Sequence, residues 1–248
     1  DNSRVIYSAD QDINNAYELY NVSTNGGTPI KLNTDIASDW DVLRHSISPD
    51  GKWVVYLAAQ DGGTAYELYS VPIMGGTVVK LNAGTGKGFE RYNYTISPDS
   101  QYVIYQYDPD PGGSFTYGLY SVPISGGKAV KFRAEAYTDK NYSYIHSVFD
   151  YEISADSSRV VYISGHQNVF LPELYSEPIT GGKAVKLNSQ LVEGGEVLNF
   201  IVSPDNSRVI YRADQEIDGA YELYSVPLKD GNPIRISSEG LYIRCIRS

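Results

Sequence analysis

Ile47-Ser-Pro-Asp-Gly-Lys-Trp-Val-Val-Tyr56 is the stretch that decides how the whole chain is read. A polar run follows it, then Glu67-Leu-Tyr-Ser-Val-Pro72, then Gly75-Gly76, then Val79-Lys-Leu-Asn82. The same succession returns along the chain. Copies begin at Pro49, Pro98, Ala155 and Pro204, and Asp1 opens inside a further copy. The repeats are 1–48, 49–97, 98–154, 155–203 and 204–248, and they use up all 248 residues. Self-similarity at this period is the sequence mark of a repeat architecture, so a single domain of five units is expected, with no room for a second.

Within one unit the pattern reads as four strands. In the second copy these are Arg44–Ser48 (a), Trp53–Ala59 (b), Tyr66–Pro72 (c) and Thr77–Leu81 (d). Each is rich in β-branched and aromatic residues, with Gly, Pro, Asp and Asn at the joints. Pro49 presets φ for a tight turn, and Asp50 offers a side chain that can bond nearby backbone N–H groups. Runs such as Val54-Val55-Tyr56-Leu57 are apolar without alternation, as expected for a sheet covered on both faces. Four-stranded units at this spacing predict an all-β fold, a closed five-bladed β-propeller with four antiparallel strands per blade. A solenoid is the alternative, but its terminal repeats need polar caps. Here Leu241–Ser248 aligns with Leu43–Ser48 as a strand a, while the chain begins just before a strand b. The C-terminal strand is therefore expected to complete the N-terminal blade.

The phrases Ile47-Ser-Pro-Asp-Gly-Lys-Trp-Val-Val-Tyr56 and Val202-Ser-Pro-Asp-Asn-Ser-Arg-Val-Ile-Tyr211 resemble the repeat of TolB-like β-propellers, themselves loosely related to WD-type repeats. The resemblance spans the chain. It implies a secreted or periplasmic interaction module. Similar propellers also precede the hydrolase domain of prolyl-oligopeptidase-type enzymes, and this chain contains no such domain.

Composition narrows the partners. Thirty acidic against twenty basic residues leave a formal charge of −10. That argues against nucleic acid, which is bound mainly through Lys and Arg on phosphates, and it suits cations or basic partners. No apolar stretch approaches the roughly 18 residues of a membrane-spanning helix, so no membrane insertion is expected. Cys245 is the one cysteine, which rules out an internal disulfide. Asp1 stands where an initiator Met or signal peptide would begin, so a processed or excised chain is expected.

Candidate sites follow from the strand order. Loops a–b and c–d lie at one end of a blade and are short and repetitive. Loops b–c and d–a lie at the other and vary, which is where a rigid scaffold usually carries binding function. The third repeat is extreme, with enlarged loops over 108–115 and 133–147 that bring Tyr142 and Tyr144 to this face. Two b–c loops carry acidic groups at alternate positions. Asp10, Asp12, Asn14 and Glu18 form one set, and Asp214, Glu216, Asp218 and Glu222 the other. Alternate oxygen ligands around a sharp turn suit Ca²⁺, the one cofactor considered; none is required. Against this, Glu67 and Glu173 hold the same ninth position in repeats without the acidic set, so Glu also reads as a structural partner within the blade. On strand a, Arg44, Asn93, Asp150, Asn199 and Arg244 recur at one position, followed by His45 and its counterparts. Such a polar ring can bind a carboxylate or a peptide end, or its charges can pair with one another across a hydrated channel. Asp41, Glu90 and Glu196 add negative charge nearby.

No His-x-His, metalloprotease, Gly-x-Ser-x-Gly or phosphate-loop spacing occurs. The expected function is a non-catalytic module that recognises a protein, peptide or carbohydrate ligand through the b–c and d–a loops. Two alternatives stand beside it: a propeller excised from a larger prolyl-oligopeptidase-like enzyme, and a hydrolase or lyase that acts on polysaccharide through carboxylates from different blades.

Overall fold

The computed structural model describes residues 3–36, 40–60, 65–82, 93–107, 118–132, 146–166 and 171–237, with backbone alone at 146, 147 and 166. Every element in this set is a strand. The first sheet runs β1 (Arg4–Ala9), β2 (Glu18–Ser23) and β3 (Ile30–Lys31). The second runs β4 (Val42–Ile47), β5 (Trp53–Ala58), β6 (Glu67–Pro72) and β7 (Val79–Lys80). The third holds β8 (Tyr94–Ile96), β9 (Tyr102–Tyr107), β10 (Gly118–Pro123) and β11 (Val130–Lys131). The fourth holds β12 (His146–Ile153), β13 (Arg159–His166), β14 (Glu173–Pro178) and β15 (Val185–Lys186). The fifth holds β16 (Val197–Val202), β17 (Arg208–Ala213), β18 (Glu222–Pro227) and β19 (Ile234–Arg235). Each sheet is ordered as the chain runs. Neighbouring strands pair antiparallel; in the second repeat strands b and c lie within a residue of their expected spans, strand a begins earlier at Val42, and strand d is confined to Val79–Lys80. Among the described residues the first sheet has three strands, and the segment 241–248 expected to supply its fourth lies outside them.

The sheets fall into two compact units, Asp1–Gly113 with Tyr120–Val130, and Ser114–Leu119 with Lys131–Ser248. In the first unit the core lies between successive sheets. Leu19 and Leu32 of the first sheet pack with Val54, Tyr56 and Val71 of the second. Val55, Leu57 and Leu68 then pack with Val103, Tyr105 and Val122 of the third. In the second unit Val161, Ile163 and Leu174 pack with Val209, Tyr211 and Val226. Val54, Val55, Tyr56 and Leu57 are all fully buried, as the unbroken apolar run requires.

Repetition of the sequence has a residue-by-residue cause. The Tyr of strand b stacks on the Tyr of strand c in every sheet: Tyr7 on Tyr20, Tyr56 on Tyr69, Tyr105 on Tyr120, Tyr162 on Tyr175 and Tyr211 on Tyr224, with centroids 5.3–5.8 Å apart. Such cross-strand pairs add about 0.5–1.5 kcal/mol beyond burial. The Asn that closes each Val-Lys-Leu-Asn accepts the N–H at the start of strand c, beyond the reach of the two-residue strand d. Leu19 N–H donates to Asn33 Oδ1 at 2.6 Å, Leu68 to Asn82 at 3.1 Å and Leu174 to Asn188 at 2.8 Å. Ser237 takes this place for Leu223.

Candidate functional site

The two ends of each sheet differ in what their polar groups do. At the a–b end the Ser-Pro-Asp turn is closed by its own side chains. Ser48 Oγ donates to Asp50 Oδ1 at 2.6 Å, Lys52 N–H donates to the same oxygen, and Trp53 N–H donates back to Ser48 Oγ. Ser97 with Asp99, Ser154 with Asp156 and Ser203 with Asp205 repeat the latch. These bonds hold the carboxyls of Asp50, Asp156 and Asp205 below the usual range, chiefly through the Ser hydroxyl two residues earlier. Neighbouring latches also touch within each unit, Asp50 N–H donating to Ser100 Oγ and Asp156 N–H to Asn206 Oδ1. The c–d end is similar: Gly75 and Gly76 turn the chain at φ of 81° and 139°, and Gly75 N–H returns to Pro72 O. The polar groups at this end largely serve the turns.

The b–c and d–a end differs from sheet to sheet. In the first unit the connection to β4 brings Trp40 edge-on against Tyr66, with centroids 5.3 Å apart. The next residue, Asp41, accepts the Tyr17 N–H at 2.8 Å, and Val42 N–H donates to Tyr17 O at 2.8 Å. Tyr17 is left half-exposed. In the second unit the corresponding place is polar. Tyr221 donates to Glu196 Oε1 at 2.6 Å, and the Arg212 guanidinium lies 4.7 Å from the centre of the Tyr221 ring. Asp214 takes the Glu196 N–H on one oxygen and the Gly219 N–H on the other. Burial and the Glu196 carboxylate together push the Tyr221 hydroxyl well above its ordinary pKa.

Of the five strand a positions expected to form a polar ring, four lie among the described residues, two in each unit. A β-bulge falls at Leu43 in β4, at Phe149 in β12 and at Leu198 in β16, so Arg44, Asp150 and Asn199 each follow a bulge at the same register. Arg44 stacks over Tyr94 at 4.7 Å. Asp150 Oδ1 accepts the N–H of Tyr151. Asn93 is exposed, and its carbonyl accepts Gln106 N–H. Asn199 lies opposite Arg212, and its Oδ1 is buried with no partner. His45 is half-buried, and its pKa is lowered by that burial against a bond to the Ile6 backbone. Arg244, Tyr142, Tyr144, Glu90 and the enlarged third-repeat loops lie outside the described residues.

The two acidic hairpins are placed in full. Glu18, fully buried, pairs with Lys31 and accepts the Tyr20 hydroxyl. Glu222 pairs with Arg235 and accepts the Tyr224 hydroxyl, and Glu216 reaches the same Arg at 3.4 Å. Glu67 with Lys80 and Glu173 with Lys186 form the same pair in the sheets without an acidic loop. The ninth-position Glu is thus a tie between strands c and d in these four sheets. Asp12 is 4.0 Å from Lys31, Asp218 lies against Gly194, and Asp10 and Asn14 are exposed. Among the described residues no three acidic, His or Cys side chains are grouped so as to hold a metal ion.

Sequence reasoning missed Trp40, Tyr66, Tyr17 and Arg212 as site residues. The available signal was departure from the repeat: Arg212 stands where other b strands carry Leu57, Gln106 and Ile163.

Comparison with known proteins agrees with the fold. The family model described as the dipeptidyl peptidase IV (DPP IV) N-terminal region matches residues 1–111. No curated protein matches the chain in sequence. Among solved structures, the chain is similar to prolyl oligopeptidase B from Galerina marginata at 13% identity and a TM-score of 0.56, over 94% of this chain and 35% of that one. It is also similar to TolB from Agrobacterium tumefaciens (17% identity, TM-score 0.43, 88% and 73% covered) and TolB from Acinetobacter baumannii (15%, 0.42, 93% and 65%). The chain therefore spans about a third of the peptidase it resembles.

Proposed function

We propose that the chain is a non-catalytic recognition module that engages a protein, peptide or glycan through the end of the sheets carrying the b–c and d–a loops. One contrast supports this reading. The opposite end spends its polar groups on four copies of a single latch, whereas this end presents a different aromatic or charged set in each unit. A photo-crosslinking residue at Tyr17 should capture a ligand that the same residue at Asp50 or Asp99 does not. Equal capture at both ends would overturn the reading. The resemblance of the Ser-Pro-Asp repeat to TolB-like propellers is the basis for proposing a place outside the cytoplasm, in the periplasm or secreted.

A second reading has its own support in the match of residues 1–111 to a peptidase N-terminal region. On that reading the sheets gate a hydrolase domain on a longer gene product. Peptidase activity in that product, lost with its hydrolase domain, would decide for it.

We further propose that the five sheets close into a ring, with 241–248 adding the fourth strand of the first sheet. The uncovered faces of the end sheets support closure. Val5 is 46% exposed and Ile236 49%, while their counterparts Val54 and Leu187 are 0% and 1%. Removal of 241–248 should then leave β1 as a bare edge and lower stability.

A further inference from the structure

At the b–c and d–a end of the first two sheets the Tyr17 N–H donates to Asp41, and the neighbouring Trp40 packs on Tyr66; we infer that these four residues form a patch for a neutral carbohydrate. The inference rests on the recognition reading above and supplies its ligand class.

The chemistry of the patch selects that class. Trp40 and Tyr66 contact edge to face, and Trp40 is seated on the core of the first two sheets. Large rings held by packing give up little entropy when a ligand lands on them. Tyr17 carries its ring half in solvent, and its counterparts are occupied: Tyr66 by Trp40, and Tyr221 by Glu196 and Arg212. Asp41 is fixed through one carboxylate oxygen by the Tyr17 N–H. Its other oxygen is an acceptor for hydroxyl groups, so the patch pairs aromatic faces for sugar C–H groups with a charged acceptor for sugar O–H groups.

Other ligand classes fit less well. A phosphate or carboxylate would meet Asp41 on a chain of net charge −10. An added peptide strand needs free main-chain groups, and those at the patch are spent, with Val42 N–H on Tyr17 O, Tyr17 N–H on Asp41 and Leu32 N–H on Leu19 O. A cation would find one carboxylate, Asp41, already fixed through one oxygen by the Tyr17 N–H, and among the described residues no group of three acidic, His or Cys side chains to hold it. A neutral polyhydroxyl ligand meets none of these obstacles.

The chain has two Trp, so Trp53→Phe leaves Trp40 as the sole indole emitter. In that background, neutral gluco-, xylo-, manno- and chito-oligosaccharides are titrated at up to about 10 mM, the weak end of useful affinity. At least one should give a saturable emission change, and the polysaccharide it comes from should retard the native protein in an affinity gel. Asp41→Asn should weaken binding about tenfold, the scale of one hydrogen bond to a charged acceptor. Tyr17→Ala should weaken it without moving the unfolding midpoint, which keeps loss of folding separate from loss of binding. No response from any sugar with folded protein overturns the inference. If crosslinks at Tyr17 then capture a protein or peptide, the recognition face stands and only its carbohydrate ligand falls. If captured ligand maps to the Asp50 end, both fall.

Discussion

Residue scale. A short hydroxyl–carboxylate bond repeated at each Ser-Pro-Asp or Ser-Ala-Asp turn makes the fold sensitive to acid. Ser203, then Ser207, hold Asp205 down to about 2. Its unfolded value is about 3.9, so the folded state binds that proton less readily. Stability from this group is present above about pH 4 and is lost as pH falls toward 2. Asp50 and Asp156 shift in the same direction. The melting temperature should fall across that window, and Asp205→Asn, which keeps the acceptor without the charge, should make the fall shallower; an unchanged slope would contradict this. Ion pairs offer a second check. Glu18 is fully buried with Lys31 and Tyr20, whereas Glu222 shares Arg235 with Glu216. Glu18→Ala should cost about 2–3 kcal/mol in urea unfolding, because it strands a half-buried ammonium and a tyrosine hydroxyl. Glu222→Ala should cost less, since Arg235 keeps a carboxylate. At this scale the sequence was legible where a residue recurs and opaque where it departs. Glu67 and Glu173 already hinted that the ninth-position Glu serves the sheet, while nothing local announced that Trp40 would meet Tyr66.

At the level of the element, strand boundaries were readable because each joint carries residues with one turn chemistry. Trp53–Ala58 and Glu67–Pro72 fall within a residue of the spans expected from Trp53–Ala59 and Tyr66–Pro72. Strand d was read too long. Its pairing stops at Val79–Lys80, because Asn82 Oδ1 takes over the Leu68 N–H that a longer strand would have met. Asn33 and Asn188 do the same work, so Asn33→Ala and Asn188→Ala should each cost about 1–2 kcal/mol by orphaning a buried N–H. Unequal losses, with one near zero, would show that water replaces the side chain there. The bulges at Leu43, Phe149 and Leu198 were not legible. Period-2 reasoning counts residues along one strand, and a bulge appears only against the partner's register.

Across the whole molecule, five units were countable from the sequence because one Tyr pair stacks in every sheet and the turn latch and Glu tie each recur in four. Closure has a direct test. Val5→Asp should destabilise by several kcal/mol if a neighbouring sheet covers Val5, as Val54→Asp must. A fully tolerated Val5→Asp beside a ruinous Val54→Asp would leave the first sheet uncovered in solution. The outer strands carry a different consequence. β3, β7, β11, β15 and β19 are two residues long, and each ends in Lys or Arg. An edge of that kind offers an approaching copy too few main-chain groups to extend a sheet, and a cation at each attempt. Sheet extension through these five short edges is therefore disfavoured, however β-rich the chain.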